Sequence, residues 1–222
     1  CASRILFGKF HQRPPADAAD EIEYWVREAG TTDIVFYDDA LLIGARSHII
    51  PLLRDVIRRK LNVRFHAPNG LHSKYIDERL AALLKEAGFS TLRLGLETAY
   101  PEAQKKLGGK VSCDEFSKAA QALRSAGYSA RDVGVYILAG LPHQPWREVY
   151  DTIHFVRERG LRPYVAEYSP IPGTGMWHDA VRCSPFPIEA EPLFHNNTLL
   201  PCRWEGFTGE HLSYLKEQSR LV

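Results

Sequence analysis

Hydrophobic and polar positions alternate most strictly in Thr91-Leu92-Arg93-Leu94-Gly95-Leu96-Glu97-Thr98, where three leucines are interleaved with Arg93, Gly95 and Glu97. A period of two sends successive side chains to opposite faces of a strand. The segment therefore predicts one aliphatic face and one carrying a cation, a gap and an anion. Elsewhere the period lengthens to three and four. Ile22, Trp25 and Val26 predict a helix over 17–29 with Gly30 as its stop, followed by a strand over 33–37. A helix over 49–60 tolerates Pro51 in its first turn, and a strand over 63–66 is closed by Pro68-Asn69-Gly70. A helix over 75–87 stops at Gly88 and leads into the central strand, and Pro101 opens a short helix over 101–107. Ser112 and Glu115 have capping-box spacing for a helix over 112–126. A strand over 132–138, a helix over 145–159 and a strand over 164–168 complete the alternation. The Pro-rich remainder predicts one weak helix over 209–219.

Five strands, each preceded by a helix, call for a parallel sheet with right-handed crossovers, either a barrel or an open doubly wound sheet. In both, ligands bind beyond the carboxyl tips of the strands. Strands covered by helices on both faces should be nearly all apolar, yet Arg64, His66, Arg93, Glu97, Tyr136 and Glu167 recur on one face. An incompletely filled barrel can point such groups into a solvated lumen, so the expected fold is α/β, a partial parallel barrel. The alternative is that the same groups form an internal salt-bridge network.

Composition narrows the function classes. The chain has 222 residues, 45% hydrophobic and 25% charged, enough for one good-sized core. A net charge of +1 and the lack of a basic cluster argue against nucleic acid and anionic membrane as partners. No apolar run reaches the ~20 residues of a membrane span, and no signal-peptide core opens the chain, so the expected compartment is the cytoplasm with reduced thiols. A first residue that is Cys rather than Met leads us to expect a piece of a longer protein.

Six short motifs stand at successive strand tips: Cys1-Ala2-Ser3, Phe36-Tyr37-Asp38-Asp39, Pro68-Asn69-Gly70, Leu94-Gly95-Leu96-Glu97-Thr98, Ala139-Gly140-Leu141-Pro142 and Ser169-Pro170-Ile171-Pro172-Gly173-Thr174. Read in order, they resemble the strand-tip motifs of a radical SAM domain over about residues 1–178, most like the group that often carries an upstream cobalamin-binding domain. The resemblance implies a (β/α)6 partial barrel of TIM-barrel type whose first strand precedes the chain, with 179–222 as a C-terminal extension on or near the barrel mouth. It also implies a [4Fe-4S] cluster and S-adenosylmethionine at the tips, with cobalamin as a further candidate in the full-length protein. An unidentified substrate and an electron donor are the implied partners.

By the same resemblance Cys1 is the last of three cluster thiolates, and a single one cannot hold the cluster in the family manner. Asp38 and Asp39 stand at the tip that receives the methionyl amino group, where Gly-Gly-Glu is common elsewhere. Asn69 either contacts cofactor or shapes its turn. Glu97 corresponds to the tip glutamate near the ribose or methionine part. Leu138 and Gly140 match the segment near adenine, with His143 where Gly often stands, and Ile171 and Pro172 match the tip that meets the adenine edge. The implied activity is reductive cleavage of S-adenosylmethionine to a 5'-deoxyadenosyl radical acting on substrate. Two other classes stay open: a metal-dependent barrel hydrolase or lyase using Asp38, Asp39, His66 and Glu97, and a non-catalytic binding module. Cys113, Cys183 and Cys202 have no close-spaced partner and read as free thiols. His11, His48, His154, His178 and His211 read as surface residues. The segment 191–207, with His195, Asn196, Asn197, Cys202 and Trp204, either covers the mouth and meets substrate or is a packed tail.

Overall fold

The protein is described by a computed structural model over Ile5 and residues 8–221. Helices and strands alternate as the periodicity predicts. Helix α1 (Pro15–Arg27) opens on a proline and leads to β1 (Asp33–Val35). Next come α2 (Ile49–Arg58), β2 (Arg64–Leu71), a 3-10 turn at Ser73–Tyr75 and α3 (Glu78–Glu86). The start of α3 lies later than the periodicity suggests, because the Asp77 side chain caps it by accepting from the Leu80 amide at 2.7 Å. Strand β3 (Phe89–Glu97) is followed by α4 (Pro101–Lys106) and α5 (Cys113–Ser125). Both halves of the Ser112–Glu115 capping box form. Strand β4 (Val133–Ala139), helix α6 (Trp146–Glu158) and strand β5 (Arg162–Glu167) complete the sheet. Beyond it lie α7 (Trp177–Cys183) and α8 (Gly209–Arg220). Helix α7 is absent from the sequence reading, since it is two turns long and no side chain caps it.

All strand pairs are parallel, and the order is β1-β2-β3-β4-β5. Right-handed crossovers between strands that neighbour each other in order put every helix on the same face, whereas a doubly wound sheet must reverse direction to cover both. This is the barrel type of winding. Among the described residues the sheet is open between β1 and β5.

The helix face of the sheet is the core. Leu92, Leu94 and Leu96 are 0%, 0% and 1% exposed, so the register of β3 is the one that turns Arg93, Gly95 and Glu97 to the other side. Phe36, Phe65 and Phe89 pack with ring centroids 5.3–5.6 Å apart at the β1–β2–β3 end. Val133, Val135 and Ile137 continue the layer, covered by Phe116 and Leu123 of α5 and Val149, Ile153 and Val156 of α6.

Two expectations are corrected. Strand β2 runs on through Pro68-Asn69-Gly70 rather than ending there, because Gly70 lies flush against the backbone of Gly95, where an added Cβ would come within 3.3 Å of its amide nitrogen. Glu167 does not share the polar face: its cross-strand partner is buried Ala139, which puts it on the helix side in an ion pair with Lys216 of α8.

Helix α8 lies against β5 and packs on α6 through stacked rings, Trp146 on His211 at 5.3 Å and Tyr150 on Tyr214 at 6.0 Å. A small second apolar cluster gathers Ala180, Ile188 and Cys202 with Trp177, Phe186 and Phe194.

Candidate active site

On the face away from the helices the polar side chains sort into partners. Arg64 donates twice to Asp33, at 2.7 and 2.6 Å, and the His66 ring stands 2.9 Å from Asp33 and 3.0 Å from the Thr91 hydroxyl. Arg64 first, and His66 after it, hold the Asp33 carboxyl far below the usual carboxylate range. A solvent-exposed network thus accounts for Arg64 and His66. It does not account for Arg93 and Glu97. The Arg93 guanidinium lies 4.8 Å from the Tyr164 ring centre and donates to the Leu92 carbonyl. Gly134 makes this stacking fit, since a Cβ there would stand 2.5 Å from the Tyr164 ring and 2.9 Å from Arg93 Cδ. The Tyr136 hydroxyl donates to the Pro68 carbonyl at 3.0 Å.

At the tip of β3 the pairing with β4 slips between Gly95 and Glu97, and Glu97 takes a left-handed backbone with φ of +67°. This conformation is unusual for a residue with a branched-off Cβ and strained relative to the strand. It presents a half-exposed carboxylate 3.1 Å from the Lys110 ammonium. Directly behind it the chemistry is buried and bonded. The Thr98 hydroxyl donates to Glu148 at 2.8 Å and accepts from the Tyr100 amide, while Gln104 donates to the Thr98 carbonyl. The Thr152 hydroxyl accepts from the Ala99 amide and donates to the Glu148 carbonyl.

The tip of β4 hangs from the same carboxylate. Gln144 accepts from the amides of Gly140 and Leu141 at 3.0 and 3.2 Å, and donates to the Leu138 carbonyl and to Glu148. Glu148 therefore joins the two tips from the helix side. Gly140 has φ of +82°, and an added Cβ would meet a Leu200 methyl at 2.6 Å, so the C-terminal segment abuts this turn. His143 is also left-handed, at +59°, which explains why glycine suits its position; its ring stands 6.3 Å from Trp204.

The tips of β1 and β2 are built otherwise. Tyr37, Asp38 and Asp39 are exposed, and Asn69 donates to the Tyr37 carbonyl at 2.8 Å, so its amide shapes the junction of the two tips. His72, just past β2, is half-buried with Nδ1 enclosed and without a hydrogen-bond partner among the described residues. Burial, then the charges of Lys110 and Lys74, push its pKa down, against a smaller opposing effect of Glu97. At the β5 tip the exposed Ile171 and Pro172 form one wall of a cleft of about 400 Å³ whose other wall includes Leu193, His195 and Asn196. The Ile171 carbonyl is taken by Thr174.

The structure thus brings Glu97, Leu138 and Gly140 to one braced corner of the mouth, with Asp38, Asp39 and Asn69 at a second, and Ile171 and Pro172 at a third. Cys1 lies outside the described residues. Among the described residues no group of three His, Cys, Asp or Glu could hold a metal ion, and His66 faces Asp33 rather than joining Asp38 and Asp39. One further correction concerns a side chain expected at the surface: His48 is buried against the start of α2. Cys113, Cys183 and Cys202 are free thiols, as expected, although Cys183 and Cys202 lie close together. The sequence reading missed Gln144, Glu148, Thr152 and His72. Glu148 and Thr152 stand four residues apart on a helix whose neighbours Val149, Ile153 and Val156 are core, and Gln144 lies four residues before Glu148, just ahead of the N-cap Pro145, a polar spacing that periodicity can reveal. His72 carries no such signal.

A family model described as the Radical SAM superfamily matches residues 1–156. An uncharacterized methyltransferase of Pyrococcus horikoshii is 25% identical over 212 residues, which are 94% of this chain and 42% of that protein. The radical S-adenosylmethionine methyltransferase TsrM of Kitasatospora setae, solved with cobalamin and a [4Fe-4S] cluster bound, superposes with a TM-score of 0.66 at 21% identity. That match covers 78% of this chain and 32% of TsrM. Coproporphyrinogen III oxidase of Escherichia coli, described as a radical SAM enzyme, gives a TM-score of 0.57 at 16% identity, covering 77% of this chain and 42% of the oxidase. At these identities the solved structures establish the fold. The chain spans less than half the length of each of these three relatives. No helix among the described residues is long and apolar enough to cross a membrane.

Proposed function

This chain belongs to the radical SAM superfamily, and from that premise we propose that the protein is an iron-sulfur enzyme that reductively cleaves S-adenosylmethionine at the mouth formed by the strand tips. When bound, a [4Fe-4S] cluster and S-adenosylmethionine together supply an electron, cleavage of the carbon-sulfur bond to methionine, and a 5'-deoxyadenosyl radical that takes a hydrogen atom from substrate. A substrate and a one-electron donor are the partners this reading calls for.

The observation that carries the reading is the corner around Glu97. A strained backbone holds a carboxylate outward beside an ammonium, with an enclosed imidazole nitrogen that has no partner among the described residues at the neighbouring tip. That donor and acceptor set suits a zwitterionic amino acid joined to a ribose. Glu97 accepts from hydroxyl or ammonium groups, Lys110 meets a carboxylate, and Asp38 and Asp39 lie on the approach. Leu138 and the turn at Gly140 offer an apolar wall to the base. At the β5 tip the Ile171 carbonyl is already bonded, so the edge of the base would meet the Ile171 amide N–H, with Pro172 fixing the turn. Asn69 acts through the Tyr37 carbonyl it holds. Cys1 is assigned as a cluster thiolate from its motif alone. We assign 1–178 to the barrel and 179–222 to an extension at its mouth, supported by the second apolar cluster and by Leu200 against Gly140.

Methyl transfer with cobalamin is the second reading, favoured by the methyltransferase relative and by TsrM.

The decisive experiment uses the full-length protein purified and reconstituted without oxygen. It should hold about four irons per cluster and form 5'-deoxyadenosine under reduction. Glu97→Gln should keep the iron yet bind S-adenosylmethionine about tenfold to hundredfold more weakly, the value of a charge-assisted hydrogen bond of roughly 1.5–3 kcal/mol. Its melting temperature should scarcely move, because a partly exposed ion pair such as Glu97–Lys110 contributes at most ~1 kcal/mol. No iron after reconstitution, or unchanged binding in the mutant, sinks the respective half of the proposal.

A further inference from the structure

We infer that Cys183 and Cys202 form a reversible dithiol–disulfide pair, a modification site whose oxidised form ties down the loop that walls the cleft at the β5 tip. Nineteen positions apart in sequence, they meet where α7 ends. The Cys183 thiol donates to the Cys202 carbonyl at 3.6 Å, which sets the two cysteines side by side. Both pack into the small apolar cluster built on Ala180 and Ile188, which fixes their mutual approach. Cys183 is half-exposed and Cys202 fully buried, and both are free thiols here.

The chemistry assigns them different parts. Burial, followed by the Cys183 thiol, pushes Cys202 up to about 12, so it is a poor nucleophile from the start. The accessible Cys183 is the attacking group. As thiolate it attacks a low-molecular-weight disulfide, forming a mixed disulfide and expelling one small thiolate. Cys202 then gives up its proton and attacks the Cys183 sulfur, expelling the second. Two protein thiols are oxidised, the small disulfide is reduced to two thiols, and excess small thiol reverses both steps.

The loop so closed contains Leu193, His195 and Asn196, which face Ile171 and Pro172 across the cleft. It holds little regular structure, only the 3-10 turns Pro192–His195 and Asn197–Leu199, so a covalent tie at its base removes much of its freedom. The inference is independent of what the mouth binds.

Sequence makes the test direct. Arg182 and Arg203 bracket the pair, so trypsin releases both cysteines in one peptide. The full-length protein is incubated with oxidised or reduced glutathione, alkylated and digested. Oxidised glutathione should give a peptide lighter by two hydrogens that takes no alkyl group; reduced glutathione should restore two. Cys113, whose thiol donates to the Ala99 carbonyl, should be alkylated alike in both and serves as the control. Amides of the intervening loop should exchange about tenfold or more slowly in the oxidised protein. Cys183→Ser should abolish both effects. Two alkyl groups after oxidation, or a persistent glutathione adduct on Cys183, overturns the pair. A disulfide formed without slower exchange overturns the tie.

Discussion

The two sides of the mouth are made of similar motifs and held in opposite ways. On the β3–β4 side, buried Thr98, Gln144 and Thr152 converge on Glu148, and every bond they make comes from behind the tips. On the β1–β2 side, Tyr37, Asp38 and Asp39 are exposed, and Asn69 donates to the Tyr37 carbonyl at the surface. A strained residue such as Glu97 keeps its conformation only where its surroundings over-determine it. The contrast therefore indicates a pre-formed corner that can orient a ligand and a softer corner that settles on it.

The strongest way to break this comparison is Gln144→Leu. It strips the Gly140 and Leu141 amides and the Leu138 carbonyl of their partner in a dry setting, where each lost bond costs about 1–3 kcal/mol. Denaturant titration should show a loss of about 3 kcal/mol or more; a loss under about 1 kcal/mol would mean the β4 tip is held by something else. A middling effect is expected from protons. His72 has a pKa below its ordinary 6.5 in the folded protein, so the unfolded chain binds more protons between that value and 6.5. Stability is full above pH 6.5 and falls as pH drops below it toward the folded pKa. His72→Gln should flatten that part of the stability–pH curve, and an unaltered slope would remove His72 from the account. The smallest change should come from Asn69→Ala. An exposed bond is replaced by water at little cost, so stability should fall by less than ~1 kcal/mol. A loss as large as that of Gln144→Leu would erase the distinction between the two corners.

The register of β3 was legible because it is carried by strict alternation, and the Ser112–Glu115 cap because it is local. The order of the strands followed from the succession of helices and strands together with the polar face, which favoured a barrel over a doubly wound sheet. Positions set by distant parts of the chain were not legible. Glu97 was assigned to the polar side correctly, but its neighbour is Lys110 from the loop beyond α4, not Arg93 or Arg64. Glu167 was misplaced because a short edge strand shows too few residues to fix its parity, which here is read from Tyr164 opposite Tyr136. Cys183 and Cys202 looked isolated because they stand nineteen positions apart across a largely irregular segment, and the small cluster around Ile188 brings them together.

The strand order has a consequence in time. Each strand pairs with the one made just before it, so no pairing waits for a distant partner, and the cost of loop closure is met in small instalments. During synthesis a new helix–strand unit can dock on a sheet that already exists, and the free edge at any moment is the one about to be covered. The link between Lys216 and Glu167 comes after all of this. Helix α8, arriving after the strand it covers, acts as a latch on a sheet that grows in one direction.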